Sequence, residues 1–301
     1  MVKRPWFTLQ REDMAFGAIM VAPAMIFLSL VLGYPLFYLF QLALSKVTWR
    51  PGYITLEWVG LANFGTLLHD NYFWQALQHT GHIVVASVPI SFLLALGLAL
   101  ALDRISHGRV ALQTILLFPW MVAPALSSSM WRWLYHDQFG IIDYMLKSIG
   151  IIKDPILWLA DPRIAIYSVI ICDVWQYTPF CMVLLFAGLQ DIPEYLYEAA
   201  KIDGANAWQL LRYITLPHLK PLILFVLLIR TIFTLRIFDF IYTLTGGGPA
   251  RSTEVLATFL YKNGFQYMKY DYSAAIAVAL LCITIIAVVG FLTVFRQNDQ
   301  P

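Results

Sequence analysis

Long apolar stretches are the feature that most constrains how this chain can fold. Six of them are long enough to cross a bilayer as helices, which takes about 20 residues. A segment that spans lipid must satisfy its backbone hydrogen bonds internally, and these stretches do not alternate as barrel strands would. The sequence therefore predicts an all-α integral membrane protein with six transmembrane helices. The predicted spans are residues 14–44, 80–102, 110–134, 164–189, 221–244 and 272–295.

The composition supports lipid as the solvent for this chain. Of its 301 residues 60% are hydrophobic and only 13% are charged, whereas about 25% of the residues of a soluble domain are charged. A net charge of +2 gives no reason to expect a nucleic-acid partner. We expect one transmembrane domain over residues 1–301, with loops at 45–79, 135–163 and 245–271 that have room only for short amphipathic pieces.

Cysteine usage and charge distribution complete this first description. Cys172, Cys181 and Cys282 lie within apolar runs, and their spacing fits neither a disulfide framework nor a metal site. Six spans place both termini on the same side, and lysine and arginine are denser per residue in the segments on that side. The positive-inside rule therefore predicts that both termini are cytoplasmic.

The segment between the fourth and fifth spans, residues 191–217, has the pattern of two helices joined by a tight turn. Pro193 suits a first helical position. Gly204 interrupts the helical run and can adopt a left-handed conformation, and Asn206 suits the cap of the second helix. Pro217 marks the entry to the fifth span. The second helix is expected to bury Trp208, Leu210, Leu211 and Ile214.

Residue types in this segment resemble the EAA signature of ABC importer permeases. Glu198-Ala199-Ala200 is followed by Gly204 and then by Ile214-x-Leu216-Pro217. The resemblance implies a cytoplasmic coupling helix that docks into a cleft on an ATPase subunit. The residues expected to make this contact are Glu198, Ala199, Ala200, Asp203 and Gly204. The alternative is an ordinary interfacial helix-turn-helix without a partner.

Other stretches resemble the carbohydrate-uptake branch of these permeases, which includes the maltose and glycerol-phosphate permeases. They are VGLANF at 59–64, FPWMVAPAL at 118–126, WRWLYHDQFGIID at 131–143, VWQYTPF at 174–180 and FDFIYTLTGGGP at 238–249. The resemblance implies a bacterial inner-membrane heterodimer of two permeases, two ATPase subunits and an extracytoplasmic solute-binding protein. His79 and Asp143 stand where the branch usually has asparagine, in what we take to be outer loops.

The chain contains no Gly-Lys dipeptide, and a Walker-type nucleotide site therefore cannot form. We expect it to be a permease rather than an enzyme, to bind no cofactor, and to depend on ATP and Mg²⁺ held by a partner ATPase. His136 beside Asp137 is interpreted as a solvated loop pair. The glycines at 246–248 and Pro249 are interpreted as a flexible loop that contacts the binding protein rather than as a phosphate cradle.

Polar side chains within the spans are costly and usually face a bundle interior or a wet cavity. Asp173, Gln176, Tyr177 and Phe180 follow helical i, i+3, i+4, i+7 spacing and share one face of span four. Such a face offers acceptors for hydroxyl groups and flat surfaces for a sugar ring. The candidate substrate pathway comprises Asp173, Gln176, Tyr177, Phe180, Arg230 and Asp239.

An alternative stays open for this polar face. Its groups would pair with one another or with a second subunit and never touch cargo. Arg236 and Asp239, three residues apart, could pair on a single helix. The arginines of span five also leave room for an anionic cargo.

The sequence favours a permease subunit that imports a sugar, polyol or sugar derivative by ATP-driven alternating access. Three alternatives remain open. The first is an ABC permease for another class of solute. The second is an ion-coupled secondary transporter, which would leave the residue pattern at 198–217 unexplained. The third is a membrane assembly or signalling component, which would have no need of a polar face at mid-membrane.

Overall fold

A computed structural model describes residues 6–296 of the chain. The helices of the described part are α1 (Trp6–Leu28), α2 (Tyr34–Ala43), α3 (Ala62–Leu68), α4 (Asn71–Asp103), α5 (Arg109–Met121), α6 (Pro124–Leu134), α7 (Ile141–Ser148), α8 (Ala165–Gln190), α9 (Glu194–Ile202), α10 (Ala207–Leu210), α11 (Leu216–Leu235), α12 (Asp239–Leu244), α13 (Leu256–Tyr261) and α14 (Tyr270–Arg296). The strands are β1 (Ser45–Arg50) and β2 (Tyr53–Trp58). Single π-helical turns lie at Ser29–Gly33, Leu211–Thr215 and Lys262–Gln266.

The prediction of a mainly helical membrane protein is confirmed. Five continuous helical segments are long and apolar enough to cross a membrane, and a bent pair, α5 with α6, completes six. The five are Phe16–Ala43, Asn71–Asp103, Ala165–Gln190, Ala207–Leu235 and Tyr270–Thr293. Helix α4 begins well before residue 80, because Asp70 caps it by accepting a 2.8 Å hydrogen bond from the Tyr72 amide.

The third span is broken rather than continuous. Helices α5 and α6 meet at an angle of 92°, and Val122 and Ala123 between them have extended backbones, with ψ of 134° and 133°. Pro124 accounts for the break, since a proline disfavours helical geometry in the residue before it and lacks an amide hydrogen. The carbonyl groups at the end of α5 therefore lose their helical partners.

The fifth span also ends earlier than predicted. Helix α11 stops at Leu235, and after a short break α12 begins at Asp239. Arg236 and Asp239 consequently lie on either side of the break, and both side chains are exposed. The hypothesis that they pair along one continuous helix is wrong, because no continuous helix joins them.

Two compact units are distinguished by the contacts within the chain. The first comprises residues up to Leu67 together with Asn263–Val278. Here β1 and β2 form an antiparallel hairpin, with Ser45 opposite Trp58 and Arg50 opposite Tyr53. The Nδ2 group of Asn63 donates 2.9 Å hydrogen bonds to the carbonyls of Ala43 and Ser45 and so fastens α3 to the base of the hairpin. The hairpin was not predicted, because a search for apolar stretches does not register six-residue strands.

The second unit comprises Leu68–Lys262 and the part of the chain after Val278. Helices α4 and α8 pack along one another, and α11 contacts both. Gly188 of α8 lies against Leu219 and Leu222 of α11, which is how small residues allow close helix packing in membranes. Two buried clusters form the core of this unit, one around Ile83, Val169 and Phe240 and the other around Ala95, Met182 and Val226.

The glycine-rich loop that follows α12 is held in place rather than free. The Thr253 hydroxyl donates to the Gly248 carbonyl at 2.7 Å and lies 2.7 Å from the Thr245 hydroxyl. Glu254, which is 2% exposed, forms ion pairs with Lys262 at 2.7 Å and Arg251 at 3.5 Å. These contacts hold the loop in place, whereas the glycines had suggested a flexible loop.

His79 and Asp143 lie in helices, not in loops. His79 belongs to α4, and its Nδ1 is 3.0 Å from the Glu254 carbonyl, which makes the imidazole the donor. Asp143 belongs to α7 and accepts hydrogen bonds from the Ile156 amide at 3.0 Å and the Trp158 indole at 2.7 Å. Both side chains therefore tie loops to helices.

Candidate functional site

The segment at residues 191–217 folds as two short helices around a glycine turn. Helix α9 ends at Ile202, and Gly204 follows with φ +82°. The Ala205 amide donates to the Ala200 carbonyl at 2.9 Å and the Gly204 amide to the Lys201 carbonyl at 3.1 Å. This is the hydrogen-bond pattern of a Schellman helix end, in which the glycine accepts the left-handed conformation. The predicted left-handed conformation of Gly204 is confirmed.

The second helix of the segment begins with a reciprocal cap. The Asn206 side chain accepts from the Gln209 amide at 2.9 Å, and the Gln209 side chain accepts from the Asn206 amide at 2.7 Å. The predicted cap is confirmed, and the partner Gln209 makes it a capping box. Pro193 is the residue before the first helical turn, one position earlier than predicted.

The side chains that resemble the EAA signature face outward. Glu198, Ala199, Asp203 and Gly204 are exposed and Ala200 is half-buried. Large apolar side chains are exposed beside them: Tyr195 at 65%, Ile202 at 86%, Trp208 at 63% and Tyr213 at 69%. An apolar surface of this kind is typical of a binding face.

The prediction that Trp208 is buried is wrong. The segment packs through Leu210 and Ile214, which are half-buried. Residues two apart on a helix point to nearly opposite sides, so that the burial of Leu210 leaves Trp208 outward. A cavity of about 260 Å³ lies between the two short helices, with Ala200, Gly204 and Tyr213 among the residues that line it.

The inner side of the segment is joined to the spans. Leu196, Tyr197 and Ile214 pack against the buried cluster built from α4, α8 and α11. The Tyr197 hydroxyl lies 3.0 Å from the Thr215 hydroxyl, which bridges α9 to the entry of the fifth span. The segment is therefore continuous with the core of α4, α8 and α11.

In mid-span, Asp173 of α8 forms an ion pair with Arg230 of α11. Both side chains are only 1% exposed. Arg230 also donates to the Thr234 hydroxyl at 2.5 Å and the Ser91 hydroxyl at 3.4 Å, and its guanidinium lies 4.7 Å from the centre of the Tyr177 ring. The contact to Ser91 brings α4 into the same network. Arg230 is thus paired with Asp173, whereas Arg236, the other arginine on which an anionic cargo was considered, is exposed.

Gln176 donates a hydrogen bond to the backbone at the break in the third span. Its Nε2 donates a 2.7 Å hydrogen bond to the carbonyl of Val122, and the side chain is 1% exposed. Val122 is the first residue after α5, at a helix end where carbonyls lack partners. Gln176 therefore supplies a donor that the broken helix cannot supply itself.

Four aromatic side chains form a partly exposed group, which we call the aromatic shelf. Its members are Trp120, Tyr177, Phe180 and Phe233. Phe180 stacks on Trp120 with ring centres 5.2 Å apart and planes 22° apart. Phe233 lies 6.0 Å from Tyr177 and 6.2 Å from Phe180. Trp120 is 41% exposed and Phe233 42% exposed, and the shelf therefore presents flat apolar surface outside the core.

Unpartnered polar atoms lie behind this shelf. Asp173 Oδ1, Gln176 Oε1 and Arg230 Nε have no hydrogen-bond partner within residues 6–296. Buried polar atoms without partners are uncommon and call for an explanation. The sequence pattern had selected Asp173, Gln176, Tyr177 and Phe180. It had not selected Trp120, Phe233 or Ser91, which belong to other helices and which no periodicity in α8 could reveal.

The structure separates the remaining candidates from this network. Asp239 is exposed at the first residue of α12, next to Phe240, whose ring lies 6.4 Å from that of Tyr177. Arg236 borders a different, mainly apolar cavity of about 270 Å³ together with Tyr261. His136 and Asp137 form an exposed pair, 3.2 Å apart. In the described part of the chain, histidine, cysteine and acidic side chains form no group of three that could hold a metal ion.

Comparison with known proteins identifies what this arrangement resembles. The sequence profile of the family described as "Binding-protein-dependent transport system inner membrane component" matches residues 14–297. The trehalose/maltose transport system permease protein MalF of Thermococcus litoralis is 35% identical, over 96% of this chain and 95% of the relative. The lactose transport system permease protein LacF of Rhizobium radiobacter is 36% identical, over 97% of both chains.

A solved structure shares the fold along nearly the whole chain. A chain from the crystal structure of a bacterial ABC transporter involved in the import of the acidic polysaccharide alginate superimposes with a TM-score of 0.82. The match covers 98% of this chain and 99% of the other, at 25% sequence identity.

The first prediction concerns the buried ion pair between Asp173 and Arg230. In Asp173→Asn the charge of Arg230 stays buried without its counter-charge, and removing one partner of a buried pair costs about 3–5 kcal/mol. We expect a lower yield of purified protein and a lower midpoint of thermal unfolding in detergent. The exposed loop variant Asp154→Asn is the control and should behave as wild type.

The double variant Asp173→Asn, Arg230→Gln removes both charges and should recover part of the lost stability. A midpoint for Asp173→Asn that equals the wild-type value would show that the ion pair does not hold α8 to α11.

Proposed function

The chain belongs to the family of binding-protein-dependent transport system inner membrane components, and we propose that it is one permease subunit of an ABC importer for a sugar or sugar derivative. The observation that carries this proposal is the match along almost the full chain to the trehalose/maltose and lactose permeases. The aromatic shelf supports a sugar over other solutes, since flat aromatic faces pack against the apolar faces of sugar rings.

The proposed mechanism places ATP hydrolysis on separate subunits. The exposed surface of Glu198, Ala199, Ala200, Asp203 and Gly204 would dock on an ATPase, with Ile202 and Trp208 extending the apolar contact. Closure of the ATPase dimer on ATP and Mg²⁺ would push this surface. The packing of Leu196, Tyr197 and Ile214 on α4, α8 and α11 would carry that movement to the spans, which would then change which side of the membrane the shelf faces.

The proposed cargo surface is the aromatic shelf, with Asp239 at its edge. Asp173, Arg230 and Gln176 would hold the helices that carry the shelf, because their contacts join α8 to α11 and to the break in the third span. The unpartnered oxygens of Asp173 and Gln176 would accept hydroxyl groups when the spans reorganise. Since Asp173 neutralises Arg230, this pair does not set the charge of the cargo.

The proposed partners are a second, different permease, two ATPase subunits and an external solute-binding protein. The proposed location is a bacterial inner membrane, with residues 191–217 and both termini in the cytoplasm. A secondary transporter driven by an ion gradient would give no role to the exposed surface at 194–204. An ABC permease for another solute class would keep that surface and would differ at the shelf.

The coupling proposal is tested by two glycines of the same geometry. Gly204 and Gly108 both have positive φ, +82° and +75°, and a Cβ atom added at either meets no atom within 4 Å. Phenylalanine at either position carries the same backbone strain, roughly 1–2 kcal/mol. We expect Gly204→Phe to abolish both uptake and co-purification of the ATPase, whereas Gly108→Phe should retain both. Equal behaviour of the two variants would remove Gly204 from the ATPase contact.

The cargo proposal is tested on helix α5, which carries two exposed aromatic residues. Trp120 belongs to the shelf, and Phe118, which is 63% exposed, points elsewhere because it is two residues away. Loss of an aromatic contact costs about 0.5–1.5 kcal/mol, which corresponds to roughly a two- to tenfold change.

We expect Trp120→Ala to lower uptake by this factor at saturating loaded binding protein, without loss of the ATPase. The control Phe118→Ala should transport normally. The shelf is excluded as the cargo surface if Trp120→Ala transports as fast as wild type, or if both variants are equally impaired.

The proposed topology is tested by labelling single cysteines. Cys172, Cys181 and Cys282 are first replaced, because the last of these is exposed. A membrane-impermeant maleimide applied to intact cells should label Ala250→Cys, after α12. It should label Lys201→Cys, in α9, only once the membrane has been opened. Labelling in the reverse order would invert the orientation.

A further inference from the structure

The hairpin of β1 and β2 has one apolar face and one polar face, which follows from its register. Residues that are opposite one another in an antiparallel pair point to the same side, and side chains alternate along each strand. The apolar face carries Val47, Trp49, Ile54, Leu56 and Trp58. The polar face carries Lys46, Thr48, Arg50, Tyr53, Thr55 and Glu57, with Lys46 opposite Glu57.

The apolar face is only partly covered by residues 6–296, the part of the chain that the structure describes. Trp58 is 70% exposed, Trp49 57% and Ile54 46%, whereas Val47 and Leu56 are half-buried. An isolated two-stranded hairpin is at best marginally stable in water, and exposed tryptophans on one face add to that cost. Contact of the apolar face with something other than water would therefore stabilise the hairpin.

The attachments of the hairpin fix its depth relative to the membrane. Ser45 begins β1 two residues after Ala43, where the first span ends, and consecutive Cα atoms are only about 3.8 Å apart. The Val47 amide donates to the Asp271 carboxylate at 3.1 Å, and the Trp49 ring lies 5.7 Å from that of Tyr270. Tyr270 and Asp271 begin the helix of the last span. Both anchors are ends of membrane-spanning helices, so that the hairpin lies at the level of the lipid headgroups.

We propose that this hairpin is an interfacial anchor that lies flat in the headgroup layer, with its apolar face against lipid. Tryptophan is enriched at this depth, because its ring is apolar and its indole N–H is polar. The polar face would then be turned to water, and the basic heads of Lys46 and Arg50 could reach lipid phosphates. The lipid surface is favoured over a protein partner because the chain itself holds the hairpin at that depth.

This anchor would have a structural consequence within its own unit. The hairpin is joined covalently to the end of the first span, and the hydrogen bond from the Val47 amide to Asp271 joins it to the start of the last one. A hairpin fixed in the interface would therefore set the depth and rotation of both helix ends. The inference needs the membrane spans but not the proposed cargo, and its test does not depend on transport.

The test is a scan of single spin labels along β2, from Tyr53 to Trp58, in the assembled complex. The native cysteines are replaced, and the complex is placed in nanodiscs of phosphatidylethanolamine and phosphatidylglycerol. The relaxation rate of each label is measured once with oxygen, which partitions into lipid, and once with a water-soluble nickel chelate. We expect oxygen to dominate at positions 54, 56 and 58 and the nickel chelate at positions 53, 55 and 57.

Every other pattern overturns the proposal. Water exposure at all six positions would place the hairpin in solution, and loss of the alternation would mean that the hairpin does not form. Shielding of positions 54 and 58 from both agents would indicate cover by the second permease. Shielding that appears only when loaded binding protein is added would make this face a docking surface for that protein. Yield and ATPase activity of each labelled complex serve as the control for folding.

Discussion

The buried ion pair between Asp173 and Arg230 is the interaction on which the interior of the larger unit depends. A charge inside a membrane protein is tolerated only when it is compensated or hydrated, and here each charge compensates the other across α8 and α11. One turn further along α8, Gln176 gives its amide hydrogen to the broken third span. A single helical face thus holds two neighbouring helices in place, and the aromatic shelf extends from the same face.

The segment at 191–217 has one buried side and one exposed side. Its inner side chains belong to the same core as α4, α8 and α11, whereas outer side chains such as Ile202 and Trp208 are exposed. Its turn is fixed by a Schellman end at Gly204 and by a capping box at Asn206, which restrain the local backbone. A rigid outer surface joined to a polar membrane core is what coupling to an external motor requires.

Much of this architecture could be predicted from the sequence, because hydropathy and turn chemistry act locally. The membrane helices, the left-handed glycine at position 204 and the cap at Asn206 all follow from residue type alone. What could not be predicted depends on where helices break or which elements meet. The spacing of Arg236 and Asp239 suggested a pair only on the assumption of a continuous helix, and Pro124 broke a span that an averaged hydropathy window treats as unbroken. The hairpin strands are too short for a search for apolar stretches, and the glycine-rich loop is fixed by side-chain contacts within residues 245–262 that its glycines do not reveal.

The central claim is that this chain moves a sugar with energy drawn from an ATPase partner. The most direct test is to purify the complex from its native membrane through a tag on this chain and to reconstitute it in proteoliposomes with its loaded binding protein. With ATP on the ATPase side, labelled sugar should cross the membrane, and a non-hydrolysable ATP analogue should stop it. Transport that proceeds without ATP and follows an imposed proton or sodium gradient would contradict the account.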